Sequence, residues 1–83
     1  MTRLNPELPS AEQISTVLTD QDLTVYARLI WTYLNVADEP QNSSSLIDAL
    51  GISPSTVSRS VAALLERGLI RRVSGVWLAE EAR

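Results

Sequence analysis

Apolar residues recur at helical spacing in several stretches of the chain, and a residue that can cap a helix precedes each stretch. Ser10 and Gln13 have the spacing of a capping box, which predicts a short helix over residues 11–18. Thr19 repeats the capping pattern and predicts a longer helix from about residue 20 to 36, with acids in the first turn where the helix dipole favours them. The first part of the chain is therefore predicted to be helical.

The longer helix carries more apolar surface than one buried face requires. One stripe at helical spacing consists of Leu23, Tyr26, Ala27, Ile30 and Leu34, with Trp31 beside it. A second, displaced stripe consists of Val25, Leu29, Tyr33 and Val36. Two stripes suggest two contacts, one with the core of the domain and one with the preceding helix or with a second protomer. Packing of both stripes within one monomer is the alternative.

A third helix is predicted after a polar loop. Ser43 or Ser44 can cap a helix over about residues 44–50, because both hydroxyls precede its first apolar residue. Gly51 follows at the position where a left-handed C-cap is expected. The helix is therefore expected to end at this glycine.

The fourth helix has a start signal at two positions. Ser53 can act as its N-cap and Pro54 as its first residue, so a helix is predicted from there to Arg67, with Gly68 as its end. Its buried stripe is predicted to consist of Val57, Val61, Leu64 and Leu65. The outward face then consists of Ser55, Arg59, Ala62, Ala63 and Glu66, with Thr56 on its shoulder.

After this helix the apolar period changes to that of a strand. Two β-rich runs over residues 69–78 surround Ser74-Gly75, which predicts a tight hairpin. Trp77 is expected in the core or as a cross-strand partner. The chain is therefore predicted to form one mainly α-helical domain with a small β-hairpin over residues 10–79, between tails at residues 1–9 and 80–83.

The third and fourth helices, joined by a glycine-containing turn, form a helix–turn–helix motif. Small and hydroxylated outward residues let a helix enter the major groove of DNA, which is about 12 Å wide. Arginine can grip guanine there, and free N–H groups at a helix N-terminus can bind phosphate. The candidate DNA-binding residues of the fourth helix are Ser53, Ser55, Thr56, Ser58 and Arg59.

Two segments carry a resemblance to a known family: Gly-Ile-Ser-Pro-Ser-Thr-Val-Ser-Arg-x-Val at residues 51–61 and Leu-Leu-Glu-Arg-Gly-Leu-Ile-Arg-Arg at residues 64–72. They resemble the winged helix–turn–helix of MarR-like bacterial and archaeal transcriptional regulators, over about residues 20–79. The resemblance implies a three-helix core, a recognition helix at residues 54–67 and a wing hairpin at residues 69–78. The helix at the N-terminus is an addition to that core.

The wing departs from the MarR pattern. MarR-type wings are long, rich in Asp and Arg, and reach the minor groove, whereas the predicted tip here is the uncharged Ser74-Gly75. Arg71 and Arg72 lie at the wing base and, with Arg67 at the helix end, are candidates for contact with backbone phosphates. A role at the helix dipole is the alternative for Arg67. Since strand alternation separates Arg71 from Arg72, one of them could instead cover the core or pair with Glu66.

Composition and charge narrow the function. The 83 residues include no Cys and no His, which excludes disulfides, Cys/His metal sites and histidine-based catalysis. No apolar run is long enough for a membrane helix and no signal core is present, so a cytoplasmic protein is expected. The net charge is −3, yet residues 53–73 hold four arginines against one acid, a local charge of +3. The basic region therefore coincides with the helix–turn–helix.

These features predict a sequence-specific, double-stranded DNA-binding protein without enzymatic activity, cofactor or metal. We expect a small transcriptional repressor that forms a homodimer through its N-terminal helices, because one recognition helix with few phosphate contacts binds weakly. The alternative is a protein-interaction winged helix, or the DNA-binding module of a plasmid or phage replication or partition machine.

Overall fold

The computed structural model describes residues 10–80, in which four helices are followed by a two-stranded antiparallel hairpin. The helices are α1 (Ala11–Leu18), α2 (Val25–Val36), α3 (Ser43–Leu50) and α4 (Pro54–Glu66), and the strands are β1 (Ile70–Val73) and β2 (Val76–Ala79). This order confirms the predicted winged helix–turn–helix with an extra N-terminal helix. The predicted tail at residues 1–9 lies outside the described residues, as does all but Glu80 of the tail at residues 80–83.

Helix α1 begins and ends where the sequence pattern predicts. The Gln13 amide donates to Ser10 Oγ at 3.1 Å, and the Ser10 amide donates to Gln13 Oε1 at 2.9 Å. Two backbone donors that have no partner within the helix are thereby satisfied by side chains. The capping box is therefore confirmed, and it holds the start of the helix in place.

Helix α2 begins at Val25, and the predicted start near residue 20 is wrong. Thr19 does not cap α2, because its hydroxyl donates back to the Ser15 carbonyl at 2.6 Å at the end of α1. Asp20 accepts the Asp22 amide at 2.9 Å, which makes a turn instead of a helix. The N-cap of α2 is Thr24, whose hydroxyl accepts the Ala27 amide at 3.1 Å.

Helix α3 is capped by Asn42, so the prediction of Ser43 or Ser44 as its cap is wrong. The Asn42 side chain accepts the Ser45 amide, and Ser45 Oγ accepts the Asn42 amide, both at 2.9 Å. This reciprocal pair satisfies two free donors, which a cap one residue later would not do in this geometry. Gly51 ends the helix in the left-handed region, with φ of 65°, as predicted.

Helix α4 has the predicted start, with Ser53 as the N-cap and Pro54 at the first position. It ends at Glu66, with Arg67 as its C-cap and Gly68 in the left-handed region. This end is one residue earlier than predicted. Helix α4 packs against both α2 and α3, while the hairpin packs against α2 through β2 and against α4 through β1.

The core is formed by α2, α4 and the hairpin, with smaller contributions from α1 and α3. Its buried apolar residues are Val17, Leu23, Ala27, Ile30, Trp31, Leu34, Leu46, Val57, Val61, Leu64, Leu69, Ile70 and Trp77. Two residues assigned to buried stripes are exposed instead, Tyr26 at 49% and Leu65 at 41%. Each lies at the edge of its helical stripe, where spacing alone does not decide burial. Ser60 is buried on the core side of α4.

The hairpin turns at Ser74 and Gly75, with φ of 51° and 82°. Positive φ at both central residues is typical of the two-residue type I′ turn, whose twist matches that of the strands. Arg72 faces Trp77 across the strands, and the Trp77 amide also donates to the Gln41 carbonyl at 2.8 Å. The loop before α3 is thereby attached to the open edge of the wing.

Candidate nucleic-acid interface

The N-terminus of α4 presents a cluster of hydroxyl groups. Ser53 Oγ accepts the Thr56 amide at 3.2 Å and donates to Thr56 Oγ1 at 2.8 Å, while Ser55 Oγ lies 3.3 Å from Ser53 Oγ. Ser53 and Ser55 are exposed and Thr56 is half-buried. Hydroxyls and the positive end of the helix dipole therefore lie together, an arrangement that suits phosphate oxygens.

The outward face of α4 continues with Ser58 and Arg59, both of which are exposed. In the described part of the chain, the Arg59 side chain has no hydrogen bond, ion pair or ring contact. Glu66 lies on the same face, about 10 Å further along the axis at 1.5 Å per residue. Arg59 is therefore the basic side chain that α4 offers to the solvent without an acidic partner. Ala62 is exposed and Ala63 is half-buried, so the centre of the face is flat.

Arg67, at the end of α4, forms an ion pair with Asp20 in the turn between α1 and α2. The guanidinium hydrogen bond holds the pKa of Asp20 below its ordinary value, and the Asp22 amide bond acts in the same direction. The two partners are 47 residues apart in sequence. The Arg67 guanidinium thus has a carboxylate partner within the protein itself.

The two arginines of the wing base face opposite sides, as strand alternation predicts. Arg71 Nε lies 3.0 Å from Glu80 Oε1, so the partner of Arg71 is Glu80 and not Glu66. The Arg72 guanidinium carbon lies 5.3 Å from the centroid of the Trp77 ring. Arg72 therefore covers a core residue, which was one of the alternatives, and it has no carboxylate partner among the described residues.

The four arginines of the basic region thus divide into two pairs. Arg67 and Arg71 each give N–H groups to a carboxylate, whereas Arg59 and Arg72 leave their N–H groups available. Sequence reasoning named all four but did not separate them. The signal for Glu80 was the antiparallel register of the hairpin, which brings the end of β2 near the start of β1. No local pattern pointed to Asp20.

A second exposed surface lies on α2, opposite its buried face. A groove of about 260 Å³ is lined by Leu18, Val25, Arg28, Leu29 and Thr32. The guanidinium of Arg28 donates to the carbonyls of Leu23 at 3.1 Å and Leu18 at 3.2 Å, which ties the end of α1 to α2. The sequence pattern had assigned Arg28 no role.

Residues 10–80, which the structure describes, contain no candidate membrane span and no candidate metal site. No helix there is both long and apolar enough to cross a bilayer. No group of three acidic side chains in the same range is placed to hold a metal ion.

The sequence profile of the MarR family matches residues 33–75. The matched segment runs from the last turns of α2 through α3, α4 and β1 to the hairpin turn, so it includes the hydroxyl cluster, Arg59 and Arg72. No curated protein matches the chain.

Proposed function

Because the chain belongs to the MarR family, whose members are DNA-binding transcription regulators, we propose that it binds double-stranded DNA sequence-specifically with α4 in the major groove. The observation that carries this proposal is the outward face of α4. Small and hydroxylated residues surround Arg59, which is exposed and has no acidic partner in the described chain. Arg59 is the residue that reads a base, by bidentate contact with a guanine.

The remaining candidates other than Ser58 contact the DNA backbone in this proposal. Ser53, Ser55 and Thr56 bind a phosphate at the helix N-terminus, and Ser58 lies beside them on the groove side. Arg72 binds a phosphate from the wing base. Arg67 and Arg71 reach phosphates only by exchanging their carboxylate partners, so their contributions are smaller.

We also propose that the protein is a homodimer whose interface includes the exposed face of α2. Val25, Leu29, Thr32 and Val36 follow one another at intervals of four, three and four residues, which is the a/d repeat of paired helices. Val25 is 68% exposed, Leu29 41% and Val36 52%, and Arg28 is the only charged residue of α2. A mostly apolar seam of this spacing, with Arg28 at its side bonded to the Leu18 and Leu23 carbonyls, suits a second copy of the same helix.

Repression is the regulatory outcome we propose, because blocking access to a promoter needs only the DNA-binding fold. The second candidate function is docking of a protein partner on α4. It is favoured by one observation, the exposure of Leu65 beside Ala62 on the C-terminal half of the helix.

A titration of a fluorescent random-sequence duplex at several salt concentrations tests DNA binding. We expect the logarithm of the association constant to fall linearly with the logarithm of the salt concentration. The slope of this line, the salt slope, should be about −0.9 for each phosphate neutralised. The affinities of Arg59→Ala and Glu66→Gln are compared, because both residues lie on the same face of α4. Arg59→Ala removes a basic charge and should weaken binding, whereas Glu66→Gln removes an acidic charge and should strengthen it. No binding at low salt would contradict the proposal and favour the protein partner.

A further inference from the structure

Arg72 and Trp77 form a cation–π pair across the hairpin. The two residues are register partners in β1 and β2, and the guanidinium carbon lies 5.3 Å from the ring centroid. Trp77 is only 8% exposed, because the rest of its surface packs in the core. Its backbone amide donates to Gln41 at 2.8 Å. Core packing and this backbone hydrogen bond thus hold the Trp77 ring in place beneath the Arg72 guanidinium.

A cation–π contact and an ion pair engage a guanidinium differently. An indole attracts the cation to its face, whereas the N–H donors of arginine point outward in the guanidinium plane. Arg67 and Arg71 donate N–H groups to Asp20 and Glu80, so these groups are not available to other acceptors. The ring contact leaves the donors of Arg72 available for the two oxygens of a phosphate.

We propose that Trp77 is a positioning residue for DNA binding: its indole holds the Arg72 guanidinium at the wing base with its donors free for a backbone phosphate. This inference rests on the proposed function. It assigns to Trp77 a role beyond the core, since a long flexible side chain that is already held loses less freedom when it binds. The uncharged tip of the wing then takes no part, and the wing acts through its base.

The test is a double-mutant cycle on Arg72→Ala and Trp77→Leu, read as affinity for a random-sequence duplex at several salt concentrations. Trp77→Phe is the conservative variant, which keeps a ring and removes an indole N–H that has no partner among the described residues. Circular dichroism melts establish that each variant is folded at the assay temperature. Arg71→Ala is the matched control, because it removes the same charge from the neighbouring position on the opposite side of the strand.

We expect Arg72→Ala to reduce the magnitude of the salt slope by about 0.9, and Arg71→Ala to reduce it less. Trp77→Leu should weaken binding about two- to tenfold, the cost of immobilising one flexible side chain converted to an affinity ratio, while Trp77→Phe retains most of the affinity. In the Arg72→Ala background, Trp77→Leu should cause no further loss. Such non-additivity is what a merely structural role would not produce.

Two results would overturn the inference while leaving the proposed function intact. One is an equal loss of DNA affinity on Trp77→Leu in the presence and in the absence of Arg72. The other is an equal reduction of the salt slope by Arg71→Ala and Arg72→Ala, with the wild type binding DNA. Failure of the wild type itself to bind the duplex at low salt would overturn the proposed function and this inference together.

Discussion

The Arg67 guanidinium at the end of the recognition helix is paired with the Asp20 carboxylate in the turn between α1 and α2. The pair joins the N-terminal helix region to the element that we propose enters DNA. It also lies at the point where the sequence pattern had predicted the start of α2. Asp20, which the sequence pattern placed in the first turn of α2, instead makes a tertiary contact with Arg67.

The ion pair between Arg67 and Asp20 predicts that the wild type is more stable than Asp20→Asn by an amount that depends on pH. Because folding lowers the pKa of Asp20 from its ordinary value of 3.8, its contribution is present above about pH 4 and is lost as pH falls through the lowered pKa. Urea unfolding of wild type and Asp20→Asn at low ionic strength should show a more stable wild type at pH 7 and converging midpoints in acid. Asp22→Asn is the control without an ion pair. A difference that stays constant to pH 2 would contradict this assignment.

The same substitution should change DNA binding. Asp20→Asn removes an acidic charge and releases Arg67, so we expect higher affinity for random-sequence duplex and a salt slope steeper by up to about 0.9. Arg67→Ala alone should cost little, because its donors are already engaged. Fluorescence polarisation at several salt concentrations measures both effects. An unchanged slope in Asp20→Asn would mean that Arg67 does not reach the DNA even when free.

The proposed dimer interface predicts that a charge on the outer face of α2 produces monomers. Leu29→Glu should halve the mass measured by light scattering, because a carboxylate at the centre of an apolar seam is costly to desolvate. Leu65→Glu is the matched control, since Leu65 has the same 41% exposure but lies on α4. Equal masses for wild type and Leu29→Glu would exclude this face as the interface.

The capping of α3 predicts a local stability effect. Asn42→Ala should lower the free energy of unfolding by about 1 kcal/mol, because it removes the acceptor of the Ser45 amide. Ser43→Ala, at one of the two positions that the sequence pattern offered, should change it by less than about 0.5 kcal/mol. Urea titrations followed by circular dichroism measure both. The reverse order of the two effects would restore Ser43 as the cap.

Local signals account for what the sequence predicted well. The Ser10 capping box, the Ser53-Pro54 start of α4 and the Ser74-Gly75 turn each depend on residues within a few positions of one another. Thr19 failed as a cap because its hydroxyl bonded to the preceding helix, and α2 is capped by Thr24, which the sequence pattern had not singled out. Patterns at this range fix element types more securely than element ends.

The candidate site was predicted as a set of residues but not as a network. The partners of its arginines come from distant parts of the chain, as with Asp20, or from the packing of the hairpin, as with Trp77. A helical wheel places Arg59 on the outward face because that depends on spacing alone. It contains nothing that distinguishes a free arginine from an ion-paired one, because that distinction arises only in the tertiary structure.

Selection of binding sites from a random duplex library by wild type and Arg59→Ala tests most directly whether α4 reads the major groove. We expect the wild type to enrich a guanine at a fixed position and Arg59→Ala to lose about 1–3 kcal/mol of discrimination at that base pair alone. Replacing this guanine by 7-deazaguanine, which lacks the N7 acceptor, should weaken the wild type and leave Arg59→Ala unaffected. The same preferences in both proteins at every position would contradict the assignment of Arg59 and of α4 as the reading helix.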